Sequence, residues 1–131
     1  MTSRPGPATN GDRPSSDCTI TEERRGDISI ISVAGTLDAL TLHQLEAAMT
    51  WPATNTPKAV VVDLSEVDFL ASAGMGLLVS THNALAPAVR FAVVASGPAT
   101  GRPLALVGIT NIIDVYATLA EALVAVAEQV D

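Results

Sequence analysis

Residues 60–79 read VVVDLSEVDFLASAGMGLLV. With Ala59 in front, the stretch opens on Val60, Val61 and Val62, an unbroken apolar run rich in β-branched side chains. A run that does not alternate with polar residues reads as a strand buried on both faces. Asp63-Leu64-Ser65 is read as leaving that strand, and Val67, Phe69 and Leu70 as a short apolar return. Ser72 then begins an apolar stretch that continues to about Leu85 and stops before Pro87, the pattern of a helix. Serine is a preferred helix N-cap, because its oxygen accepts from an otherwise free N–H of the first turn. Gly74 and Gly76 fall in that turn, each costing about 1 kcal/mol against alanine. A close approach of another backbone is the expected reason for them.

The same strand and helix units continue outward. CTITEERR from Cys18 alternates weakly, Gly26-Asp27 marks a turn, and Ile28, Ile30, Ile31 and Val33 form a second strand, so the chain opens on a hairpin. Gly35-Thr36-Leu37-Asp38 breaks it. Leu42, Leu45, Ala48 and Met49 then lie on one helical face, with Thr41 as N-cap and Gln44 completing a capping box. Trp51-Pro52 ends that helix. Val89–Ala95 is a further strand, and Thr100 to Val107 a short helix stopped by Gly108. Ile112–Tyr116 is an edge strand, and Thr118–Val130 a last helix with Leu119, Leu123, Val126 and Val130 on one face. Thr118 and Glu121 form a second capping-box pattern. The order β-β-α-β-α-β-α-β-α favours an α/β fold with a mostly parallel sheet covered by helices.

One domain fits 131 residues. Residues 1–16, MTSRPGPATNGDRPSS, hold Met1 as the one large apolar residue and read as a disordered tail ahead of a domain over 17–131. The formal net charge of −7 argues against nucleic-acid and anionic-membrane partners, which need a basic surface. It suits solubility and is compatible with a basic protein partner. No signal-peptide h-region and no apolar run of membrane-spanning length is present, so the expected location is the cytoplasm.

Chemistry finds little support. Cys18, the single cysteine, reads as a small apolar residue, and no Cys/His spacing suggests a metal. His43 and His82 are far apart and read as surface residues. Ser72 stands in ASAGMG and not in a G-x-S-x-G elbow. Asp63, Glu66 and Asp68 read as solvated loop carboxylates. Gly74-x-Gly76 resembles part of an anion-binding turn, but Val79 takes the place of a third glycine and no Walker lysine follows. Two readings of Ser72 remain: a plain N-cap, or a hydroxyl whose phosphorylation would meet the positive end of the helix dipole and add charge beside those three carboxylates. The expectation is a protein without catalytic residues, metal or cofactor.

The segment VVVDLSEVDFLASAGMGLLV resembles the signature of STAS domains, specifically the bacterial anti-sigma factor antagonists, whose pattern is F-x-D-S-[ST]-G-[LM]-G after a buried strand. VAGTLDALTLHQLE, residues 33–46, resembles the family's G-x-[LI]-D segment and first helix. The likeness runs from about Cys18 to the C-terminus. It implies a mixed sheet of about five strands, with four to five helices mainly on one side. It also implies a partner: an anti-sigma factor, often itself a serine kinase, whose capture frees a sigma factor for transcription. Phosphorylation of the motif serine disrupts binding, and a phosphatase resets it. Carried over by position, the resemblance implies Ser72 as the phosphorylated residue and Asp38, Ser72, Gly74, Met75 and Gly76 as the partner-binding residues. Two positions depart from the pattern: Ala71 replaces the motif aspartate and Ala73 the second hydroxyl residue.

Two other functions stand beside this one. Ala71 motivates a constitutive STAS adaptor in a signalling or transporter-accessory assembly, never phosphorylated. The helix-start glycines motivate a small-ligand or nucleotide-binding module.

Overall fold

The computed structural model describes residues 18–129, so the tail expected over residues 1–16 and Val130 of the last helix lie outside the described residues. Strands β1 (Cys18–Arg25) and β2 (Ile28–Leu37) form the opening hairpin. There follow α1 (Leu42–Ala48), β3 (Ala59–Leu70), α2 (Ser72–Leu85), β4 (Arg90–Val94), α3 (Gly101–Leu106), β5 (Asp114–Tyr116) and α4 (Leu119–Gln129), with short 3-10 turns at Ala53–Asn55 and Ile109–Asn111. The five strands lie in sequence order across one sheet. β1 runs antiparallel to β2, and the pairs from β2 to β5 are parallel.

That order decides where the helices go. Right-handed crossovers between successive parallel strands place every connecting helix on the same face, as long as the strand order never reverses. Leu45 of α1, Leu77 and Leu78 of α2 and Leu104 of α3 accordingly share one core with Val60, Val62 and Val93. The last helix has no strand to return to, and α4 covers the opposite face, setting Ala122 and Val126 against Ala59, Val61, Ala92 and Val94. The apolar run Ala59–Val62 is therefore buried on both sides, each residue 0% exposed. Burying one such valine or leucine stabilises the fold by roughly 1.5–3 kcal/mol.

β3 does not end at Asp63 as expected. It continues to Leu70, because two bulges let it keep pairing with β2. Between the pairs Ser32–Asp63 and Ala34–Glu66, and again between Gly35–Val67 and Thr36–Phe69, β3 carries one residue more than its partner. Inward positions thus step by three, from Leu64 to Val67 to Leu70, and all three remain in the core. Asp63, Glu66 and Asp68 belong to this strand, not to a loop. No helix among the described residues is long and apolar enough to cross a membrane.

Candidate functional site

The C-terminal ends of β2 and β3 are fastened together, and the candidate residues sit on the two chain segments that leave them. The N–H of Ala71 donates to the carbonyl oxygen of Leu37 at 3.0 Å. One segment is the turn from Asp38 to Thr41 and the other is the first turn of α2, so the sheet brings Asp38 and Ser72 to the same rim although 34 positions separate them.

The N-cap of α2 is Ala71, not Ser72, and no side chain caps this helix. Ala71 has the extended backbone of a cap position (φ −84, ψ 166) but no oxygen to offer. Ser72 is the first helical residue and is exposed, with its hydroxyl left out of the cap. It stands at the positive dipole end of a fourteen-residue helix, in the turn whose N–H groups have no partner within the helix.

The two glycines serve different ends. Gly74 is buried, and a Cβ on it would stand 3.0 Å from Leu37 Cγ, 3.0 Å from Leu70 Cδ1 and 3.1 Å from the Leu37 carbonyl oxygen. Its bareness lets α2 sit down on the end of β2, an approach within the chain itself. Gly76 is exposed, and a Cβ there would meet nothing within 4 Å. Met75 between them is half-buried against the core.

Asp38 organises the other segment. Its Oδ1 accepts from the N–H of Leu40 at 2.9 Å and of Thr41 at 3.2 Å. The expected capping box of Thr41 and Gln44 is not formed: Thr41 makes no side-chain cap bond. Its hydroxyl instead donates back to the Thr36 carbonyl at 2.8 Å and accepts the N–H of Asp38 at 3.0 Å. Thr41 is thereby buried, and the helix-start role passes to the aspartate three residues earlier. At α4 one bond of the expected capping box is present, the Glu121 N–H donating to the Thr118 hydroxyl at 3.2 Å.

Cys18 begins β1 opposite Gly35, close to this rim. Burial pushes its thiol up from the ordinary value; a hydrogen bond with Thr41 opposes that shift and the Asp38 charge adds to it. A thiol held protonated is a poor nucleophile.

Charge is segregated along the strands. Arg24, Arg25, Lys58 and Arg90 all lie near the opposite end of the sheet, where Arg25 pairs with Glu23 at 2.9 Å, Lys58 with Asp27 at 3.9 Å, and Arg90 with Asp114. Asp38, Glu66 and Asp68 lie at the Ser72 end, joined there by one cation of the described residues, Arg102, whose N–H bonds the Gly97 carbonyl. Two apolar side chains that sequence reasoning did not assign to the site also stand out there: Leu40 is 67% exposed and Phe69 56%. A Phe flanked by Asp68 and the core residue Leu70 is visible in the sequence, but only the bulged register shows it turned outward. The histidines take no part: His43 is exposed, and the half-buried His82 packs its ring 6.4 Å from that of Phe91. No group of three or more His, Cys, Asp or Glu side chains that could hold a metal occurs among the described residues.

Residues 19–122 match the model of the STAS domain family. The chain is 35% identical over 108 residues to the anti-sigma-F factor antagonist RsfB of Mycobacterium tuberculosis, covering 82% of this chain and 88% of that protein. The crystal structure of an anti-sigma factor antagonist from Mycobacterium paratuberculosis superposes with a TM-score of 0.80 at 39% identity, covering 86% of this chain and 96% of that one. The anti-sigma factor antagonist SpoIIAA in its unphosphorylated form shares the fold, with a TM-score of 0.67 at 21% identity over 84% of this chain and 97% of its own. With its five-stranded sheet and its Asp38 and Ser72 segments on one rim, the chain belongs to the STAS domain family, among the anti-sigma factor antagonists.

Proposed function

We propose that this protein binds an anti-sigma factor through the rim formed by residues 38–41 and 72–76, so freeing a sigma factor in the cytoplasm, and that phosphorylation of Ser72 switches the binding off. The observation that carries the proposal is the placement of Ser72. Ser72 is exposed at the first position of α2, its hydroxyl free of any capping duty, on the rim that Asp38 shares. A phosphoryl group there would add about 1.5 to 2 negative charges. The helix dipole tolerates an anion at this end, so the modification would alter the surface and leave the helix folded. The neighbouring Asp38, Glu66 and Asp68 would gain a further like charge, and a partner matched to the unmodified rim would lose its fit. Gly74 contributes by seating α2, and Met75 and Gly76 by shaping the turn that Ser72 opens. The anti-sigma factor, or an associated kinase, would transfer the γ-phosphoryl group of ATP to the Ser72 hydroxyl, leaving ADP, and a phosphatase would hydrolyse it to inorganic phosphate.

The test is binding of an anti-sigma factor by wild type, Ser72→Ala and Ser72→Glu, with intact mass after incubation with the kinase and ATP. Wild type and Ser72→Ala are expected to bind alike, Ser72→Glu weakly, and one phosphate is expected on wild type alone. Equal binding by Ser72→Glu would overturn the switch. Ala71 favours a second reading, a constitutive adaptor, because the acceptor and charge of the motif aspartate are missing beside Ser72. Partner binding with no added phosphate on wild type would establish that alternative.

A further inference from the structure

We infer that Phe69, seconded by Leu40, anchors the partner, and that the surface it enters is an apolar recess bordered by Lys and Arg side chains. The inference rests on the anti-sigma factor reading and names the chemistry of that partner. Leu70 turns into the core beneath the helices, which turns its neighbour Phe69 out from the strand. The register fixes Phe69 opposite Thr36, two residues before Asp38. Leu40 is tied to the same place, since its N–H donates to Asp38 Oδ1 at 2.9 Å. Both side chains therefore rise from backbone held by β2 and β3, and their positions need little ordering on binding. They are 56% and 67% exposed, a cost in water that a partner would remove.

The surroundings select the partner's charge. Asp38 holds the Leu40 N–H and Glu66 and Asp68 share the end of β3 with Phe69, while four of the five cations among the described residues lie near the far end of the sheet. A recess lined with Lys and Arg would complement this rim, and one bordered by carboxylates would be repelled. Aromatic anchors dominate interface energetics more often than leucine does, so the larger share falls to Phe69.

The experiment measures the dissociation constant of the full chain for a purified anti-sigma factor of the same genome. Phe69→Ala is expected to weaken binding roughly thirty-fold or more, Leu40→Ala less, and Phe69→Leu to recover part of the loss. Melting temperatures are expected to stay near wild type, since neither side chain fills the core; if Phe69→Ala unfolds, Leu40→Ala and Phe69→Leu still give the comparison. Wild-type binding with unchanged affinity in the Phe69 and Leu40 variants overturns the anchor and leaves the anti-sigma factor reading intact. Failure of wild type to bind any such factor overturns both.

Discussion

Gly74 and Leu37 lie so close that a methyl group on Gly74 would crowd its neighbour: a Cβ there would stand 3.0 Å from Leu37 Cγ and 3.1 Å from the Leu37 carbonyl oxygen. That carbonyl also accepts the Ala71 N–H, so one residue at the end of β2 positions both the cap and the first turn of α2. Gly74→Ala is expected to destabilise the protein by about 1–3 kcal/mol, the usual cost of overpacking. Gly76→Ala, with open space around it, is expected to stabilise by up to about 1 kcal/mol through helix propensity. Urea unfolding of the two variants checks this. Equal destabilisation by both variants, or stabilisation by Gly74→Ala, would show that the glycines are not divided between core and surface.

Ser72 is expected to be dispensable for folding. Replacing a true N-cap serine costs about 1 kcal/mol, but the cap position belongs to Ala71 and the Ser72 hydroxyl is not used there. Ser72→Ala should therefore leave the unfolding midpoint within experimental error. Thr118→Ala should lower stability by about 1 kcal/mol, because the Thr118 hydroxyl does accept the Glu121 N–H. Thermal denaturation of the two variants side by side is the measurement, and a comparable loss in both would return Ser72 to a structural role.

How far this was legible in the sequence depends on whether the deciding contact was local. The buried run Ala59–Val62, the strand and helix order and the helix opening at Ser72 follow from periodicity and turn residues, and they stand in the structure. The second half of β3 does not read as strand in the sequence because its inward residues Leu64, Val67 and Leu70 repeat every three positions, a period set by bulges against β2 and not by strand geometry. Thr41 reads as the cap in sequence because the competing acceptor, the Thr36 carbonyl, is presented only once β2 has ended where it does. The close approach expected for both glycines holds at Gly74 and not at Gly76, and the neighbour of Gly74 is Leu37 of the same chain, a contact across 37 residues of sequence that no local pattern records.

Asp38 carries both structure and charge, and two substitutions separate them. Its Oδ1 holds the N–H groups of Leu40 and Thr41. Asp38→Asn keeps an acceptor oxygen and removes the charge, so stability should change little. Asp38→Ala removes the acceptor as well and is expected to cost about 1–2 kcal/mol. If the rim acts through charge, both variants lose partner affinity, and the salt dependence of binding flattens in each. If Asp38 acts only by holding the turn, Asp38→Asn binds as wild type does. Unfolding midpoints and affinities at two salt concentrations distinguish the cases.

Glu22 supplies the pH dependence. Its Oε2 accepts the Trp51 indole N–H at 2.9 Å and the Ser29 hydroxyl at 2.7 Å, clipping the segment after α1 to β1. The hydrogen bond from Trp51, then that from Ser29, holds the Glu22 carboxyl below its usual range against a smaller opposing effect of burial. A carboxyl depressed in the folded state stabilises the protein above its unfolded pKa, and that contribution is lost as pH falls through the folded value. Neutral solution should therefore show the full contribution, and acidification below the ordinary glutamate range should release the clip. Trp51 is the single tryptophan of the chain, so its emission reports the event directly. Wild type is expected to show an emission change in that acid range, ahead of global unfolding, and Glu22→Gln is expected to lack it. An identical acid transition in Glu22→Gln would assign the change to other carboxyls.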